Sequence, residues 1–138
     1  RPEIVFGADI IVGFPTETEE NFSDTLNIVD EANLTYLHVF PFSARPETPA
    51  SRMPQVQKEI IKKRAEILRI KGNEVKNKYF QSLMGKEVTA LVENGDRGYT
   101  ESFAPLKFTE PVKRGEILSA KVSGFSDEQL SAKIMSDI

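Results

Sequence analysis

The stretch ADIIVGFPTETEENF, residues 8–22, decides the fold. From Ile4 to Gly13 the chain is almost wholly apolar and rich in β-branched residues, with Asp9 the only charge. An apolar run of this length predicts a strand buried on both faces, the form found in parallel sheets. Gly13-Phe14-Pro15 then ends the strand, and Thr16 or Thr18 can cap a helix. Thr16 with Glu19 three residues on matches a capping box, and Glu17, Glu19 and Glu20 suit the positive end of a helix dipole. Phe22, Leu26 and Val29 recur at helical spacing and predict the face turned to the strand, with Ile28 and Ala32 flanking it. Asn33 is the expected stop, and YLHVFPF, residues 36–42, reads as a second strand. Joints this short make a βαβ unit with parallel strands. They also put the Gly-Pro turn at the carboxyl end of a parallel strand, where α/β folds bind ligands.

One βαβ unit leaves two open sheet edges. The chain starts at Arg1-Pro2-Glu3, without a methionine or a signal peptide, and reads as a piece of a longer polypeptide that carries the neighbouring strands. Made alone, it is expected to self-associate through those edges.

Composition narrows the rest. Of 138 residues, 39% are apolar and 28% charged, which fits a globular chain and excludes a disordered one. No apolar run approaches the ~20 residues of a membrane helix, so no membrane partner is expected. Without cysteine, this chain cannot supply a disulfide, a thiolate metal site or a cysteine nucleophile. That suits a cytoplasmic protein. The net charge of −3 hides three blocks: −7 over residues 1–50, +6 over residues 51–84 and −2 over residues 85–138. Periodicity changes at the same places, so the blocks are read as separate structural units.

The second block opens with a proline-rich loop, residues 43–55. A helical pattern then runs through Val56, Ile60, Ile61, Ala65, Leu68, Val75, Tyr79 and Leu83. Gly72 interrupts it and predicts a bend or a break into two helices, and Gly85 is the expected C-terminal cap. Lys58, Lys62, Lys63, Arg64, Arg69, Lys71, Lys76 and Lys78 make the helix basic. They read either as a solvated face or as an attraction for RNA phosphates. The third block alternates Val88, Ala90 and Val92 before Asn94-Gly95, a strong hairpin signal. Further short strands follow, which predicts a small closed barrel. His38 is the only histidine, and with no second ligand beside it the structural reading is preferred: a histidine among apolar strand residues.

The segments FGADIIVGFPTETEENF, YLHVFPFSARPETPASRMPQV and GKEVTALVE, joined by the basic helix, resemble the methylthiotransferase family of radical S-adenosylmethionine (SAM) enzymes. HVFPFS and MPQV look most like the branch acting on N6-threonylcarbamoyladenosine in tRNA. The isopentenyladenosine and ribosomal-protein branches, and a non-catalytic RNA-binding module, are the alternatives. The resemblance implies the last strands of a partial TIM-like radical-SAM barrel in residues 1–50, a linker loop and helix in 51–84, and an OB-like TRAM β-barrel in 85–138. It implies SAM as cofactor, cleaved to a 5′-deoxyadenosyl radical, and two 4Fe–4S clusters. Their cysteine ligands lie outside this chain, in a CxxxCxxC motif expected upstream, so the fragment alone should be inactive.

It further implies that Ile11, Gly13, Phe14, Pro15, Phe40 and Phe42 line the SAM pocket, Gly13 letting the backbone approach a flat ring. The bland alternative is a core strand ended by a turn. Glu17 is the acid nearest the family's strand-end acid, one residue late. Arg45 would meet RNA or substrate, and Lys86, Arg97, Lys107 and Arg114 would bind the anticodon stem-loop of tRNA. Further cations of the barrel include Lys113 and Lys121, with Tyr99, Phe103 and Phe108 among them as stacking surfaces. Glu47 stands where the family commonly has glycine, and Glu resists a positive φ.

Overall fold

The computed structural model describes residues 3–137; residues 1, 2 and 138, which the sequence blocks above include, lie outside it. The chain divides into two compact units, one spanning Val5–Val75 and the other formed mainly by the stretch from Lys76 onward.

In the first unit β1 (Phe6–Val12) and β2 (Leu34–Pro41) pair in parallel, with Ile11 beside Phe40 and Asp9 beside His38. Between them runs α1 (Glu19–Glu31). The cap is Thr18, not Thr16: Thr18 accepts from the Asn21 amide at 3.0 Å and Asn21 Oδ1 accepts from the Thr18 amide at 3.0 Å. The capping box is therefore reciprocal, with Asn in place of Glu at its third position. Thr16 instead sits in the turn with φ 73°. Asn33, with φ 53°, follows the last turn of α1 as a left-handed terminator.

One face of the strand pair is covered. Val12, Phe22, Val29, Ala65 and Leu68 form a buried cluster, with Ile10, Leu26, Leu37, Val39 and Val75 packed on it. Burying a Val, Leu or Phe side chain is worth roughly 1.5–3 kcal/mol, so this layer holds the unit together. The other face is open: Asp9, Ile11, His38 and Phe40 are exposed. The expectation of two-sided burial is thus corrected. β1 is apolar on both faces, but a single helical layer covers only one. His38 is corrected with it, since it projects from the open face and is not enclosed by apolar residues. Ile28 and Ala32 are also exposed, so the apolar stripe of α1 is narrower than its flanks suggested.

α2 (Lys58–Leu83) follows a short 3-10 turn at Pro49–Arg52 and runs unbroken through Gly72. A Cβ there would meet Leu37 at 3.3 Å, so this glycine marks close helix–sheet packing rather than a bend. Glu47 adopts φ 66° despite its side chain.

In the second unit five strands close into a barrel in the order β3-β4-β5-β7-β6: β3 (Glu87–Asn94), β4 (Arg97–Thr100), β5 (Pro105–Phe108), β6 (Ile117–Phe125) and β7 (Leu130–Asp137). All pairings are antiparallel except β5 with β7. This is a five-stranded closed barrel of OB-like type. The β3–β4 hairpin turns on Gly95-Asp96, one residue later than Asn94-Gly95, with Gly95 at φ 58°. The barrel core holds Val92, Leu106, Phe108, Leu118, Val122 and Leu130, small alanines between them, and Phe80 from the last turns of α2. Phe80 is fully buried and meets Phe125 edge-on at 6.1 Å. Helical spacing pointed to Tyr79 and Leu83, which pack only partly; the residue between them fills the barrel.

Two backbone strains and one steric limit give measurable outcomes. A left-handed non-glycine residue costs about 1–2 kcal/mol, and glycine loses about 0.4–1 kcal/mol more chain entropy on folding. Thr16→Gly and Glu47→Gly should therefore each raise the unfolding free energy by roughly 0.5–1 kcal/mol in urea titrations. At Gly98 a Cβ would lie 2.2 Å from the Leu91 carbonyl oxygen across the β3–β4 ladder. Gly98→Ala should cost about 3 kcal/mol or more, read as a lowered urea midpoint of the barrel transition.

Candidate functional site

The carboxyl ends of β1 and β2 carry the first candidate site. Ile11 and Phe40 are cross-strand neighbours on the open face, both about half exposed. Beyond them the Phe42 amide donates to the Val12 carbonyl at 2.8 Å, extending the parallel pairing past β2. Phe14 and Phe42 meet edge to face with ring centroids 5.4 Å apart. Ile11, Phe14, Phe40 and Phe42 thus form an apolar, aromatic wall at the strand ends. Such a wall suits a flat heteroaromatic ring, which gains from stacking and edge contacts.

Gly13 and Pro15 stand behind that wall. Both are buried, and a Cβ on Gly13 would run into Ile61 of α2 at 2.4 Å. The space freed by Gly13 is thus filled by α2, and its φ of 80° is the second reason for glycine.

What holds this turn was not legible in the motif. Arg64, read from the sequence as one of many helix cations, is buried. Its Nη1 donates to Glu17 Oε1 at 2.7 Å and to the Glu17 carbonyl at 3.1 Å, and its Nη2 donates to Glu19 Oε1 at 2.8 Å. The guanidinium lies 5.6 Å from the centre of the Phe22 ring. Burial by itself would lower the Arg64 pKa; the hydrogen bonds to Glu19 and Glu17 outweigh it and leave the pKa raised. Glu17 Oε1 also accepts from the Gly13 amide at 3.0 Å. The signal available in sequence was weak: a cation in register with Ile61, Ala65 and Leu68 on the apolar side of the helix.

The remaining cations of α2 do other work or face solvent. Lys71 pairs with Asp30 at 2.7 Å, and that hydrogen bond raises its pKa. Arg69 Nη2 donates to the Val39 carbonyl on β2 at 3.3 Å. Lys58, Lys62 and Lys63 are exposed. Arg45 is exposed in the loop after β2, where its carbonyl accepts from Thr48 Oγ1 at 2.7 Å.

On the barrel, Arg97 and Lys107 are cross-strand neighbours on β4 and β5, both exposed. Lys107 lies 4.0 Å from Asp96, at the limit of an ion pair. Two residues along β4, Tyr99 faces outward opposite Leu91, which in turn faces Ile117. All three are about half exposed, giving an outward row of one aromatic and two aliphatic side chains. Arg114 sits beside the same end of β3, since the neighbouring Gly115 amide donates to the Val92 carbonyl at 2.9 Å. Lys86 is exposed at the opposite end of β3 and stands apart from that group. Lys113 and Lys121 are exposed as well. Phe103 is 80% exposed, but Phe108 fills the barrel core and cannot stack on a base. β5 alternates, and Phe108 falls on its inner side with Leu106.

Among the described residues no group of three or more His, Cys, Asp and Glu side chains converges as a metal site, and no helix is long and apolar enough to cross a membrane.

No protein-family model matches the chain. It is 48% identical over 127 residues to the threonylcarbamoyladenosine tRNA methylthiotransferase MtaB of Rickettsia prowazekii, covering 92% of this chain and 30% of that protein. It is 38% identical over 108 residues to the MtaB of Aquifex aeolicus, covering 78% of this chain and 26% of that protein. With the tRNA-2-methylthio-N(6)-dimethylallyladenosine synthase of Campylobacter hominis it shares 33% identity over 140 residues, covering 96% of this chain and 32% of that protein. The chain thus spans about a third of the length of these curated relatives. Over that span, which takes in both the strand-end turn and the barrel, the chain is similar to tRNA methylthiotransferases.

Proposed function

We propose that the chain is the C-terminal part of a radical SAM methylthiotransferase that converts N6-threonylcarbamoyladenosine beside the tRNA anticodon to its 2-methylthio form. The observation that carries this reading is 48% identity over 127 residues with a protein named for that activity. The apolar wall at the strand ends supports it, because an adenine ring fits a surface of this chemistry and this place in an α/β fold. SAM, when bound, supplies the radical-generating and methylating chemistry. Ile11, Phe14, Phe40 and Phe42 would cover one side of its adenine and exclude water there, while Gly13, Pro15 and Glu17 set the turn behind them. The chain contains no cysteine and offers no thiolate to an iron–sulfur cluster, so the cluster ligands belong to the remainder of the protein and this chain alone does not turn over.

The TRAM-like barrel would hold the tRNA anticodon stem-loop. Arg97, Lys107 and Arg114 offer phosphate contacts at one end of β3, and Tyr99 offers a stacking face beside them. Arg45 would reach a phosphate or carboxylate with its planar fork. The reading places the enzyme in the cytoplasm with its tRNA.

Deleting the gene should abolish 2-methylthio-N6-threonylcarbamoyladenosine from tRNA digests analysed by mass spectrometry, and the intact gene should restore it. Retention of that nucleoside, in a strain with no second such enzyme, would overturn the reading. In anisotropy titrations of the chain with an anticodon stem-loop, Tyr99→Ala should cost about 1–3 kcal/mol of binding. Removing Arg97, Lys107 and Arg114 together should reduce the salt dependence by roughly the weight of three phosphate contacts. The open edges of β1 and β2 should make the isolated chain associate, seen as concentration-dependent sedimentation.

A further inference from the structure

Among the described residues Arg64 is the one charged side chain that is buried. Its side chain is 6% exposed and that of Glu17 10%, whereas Glu19, the other partner, is 85% exposed. Desolvating a guanidinium is expensive, and an apolar residue of the same size often serves a core as well or better. A planar fork is worth that cost where several acceptors must be held at fixed angles. Arg64 does this. It grips both the side chain and the main-chain carbonyl of Glu17, and the gripped carboxylate oxygen holds the Gly13 amide.

One turn earlier on α2, Ile61 fills the space beside Gly13. The segment from Gly13 to Glu17 is therefore fixed from α2 at both ends. Between those ends stands Phe14, whose ring meets Phe42. Within the turn the Glu17 amide donates to the Phe14 carbonyl at 2.9 Å, so the orientation of Phe14 follows from a backbone that α2 clamps through Glu17.

We infer that Arg64 is a positioning residue for the adenosyl ligand: through Glu17 it holds the Gly13–Glu17 turn so that Phe14 and Phe42 present one preformed wall beside Ile11 and Phe40. This inference rests on the proposal that the strand ends bind SAM. Lysine cannot replace arginine in the role, because one ammonium cannot span Glu17 and Glu19 in the same plane.

The test uses the full-length enzyme with its clusters, radiolabelled SAM in equilibrium dialysis, and Arg64→Met, Arg64→Lys and Glu17→Gln variants. The fraction folded is checked by circular dichroism at the same temperature. Each variant should bind SAM about tenfold or more weakly. KM for SAM should rise while kcat at saturating SAM stays within about threefold, and affinity for tRNA should be unchanged. Arg64→Met combined with Glu17→Gln should be no worse than the first change alone, because both break one linkage. If Arg64→Met fails to fold, Arg64→Lys and Glu17→Gln carry the test. Folded variants that bind SAM like the parent enzyme would overturn the inference, as would equal losses of SAM and tRNA affinity, the mark of a general structural role. An unaltered enzyme that binds no SAM would instead overturn the proposed function, and the inference with it.

Discussion

The first unit depends on one backbone constraint: Gly13 must leave β1 with a positive φ directly beneath Ile61 of α2. Everything at the strand ends follows from that crossing. Because the chain turns there, Pro15 is buried behind the turn and Phe14 is exposed in front of it. Because α2 lies so close, its next turn can deliver Arg64 to the main chain of Glu17. The same closeness recurs along the helix at Gly72, where the side chain of Leu37 occupies the room a Cβ would need. Two glycines thus set how near α2 lies to the sheet, one at each end of the contact.

The order of elements could be read from apolar spacing, and so could the parallel pairing and the barrel. These rest on patterns repeated over many residues: Phe22, Leu26 and Val29 in α1, and Val88, Ala90 and Val92 in β3. Where a single residue decided the outcome, the sequence was ambiguous. Thr16 and Thr18 were both plausible caps, and only the left-handed turn at Thr16 selects Thr18. Gly72 looked like a helix breaker because local propensity says so; long-range packing against Leu37 is invisible to it. Arg64 was lost among seven other cations for the same reason, since its neighbours in space are 45 and 47 residues away.

The site residues divide along the same line. Ile11, Phe14, Phe40 and Phe42 come together because a parallel register sets β1 beside β2, and that register is implicit in the short joints of the βαβ unit. On the barrel, cation and aromatic positions were visible but their faces were not. Alternation along β5 sends Phe108 inward and Lys107 outward, so two adjacent residues of one motif take opposite roles. The grouping of Arg97 with Lys107 depends on strand pairing, and the separation of Lys86 on the length of β3.

The end of α2 has a consequence of a different kind. The last amides of a helix are ordinarily the first to trade hydrogen with solvent, because helix ends fray. Here the Gly85 amide donates to the Val122 carbonyl at 2.9 Å and the Val122 amide donates back to Lys86 at 2.9 Å. Val122 is fully buried in the barrel core. The junction therefore belongs to the strand ladder, and its exchange is governed by opening of the barrel rather than by unwinding of the helix.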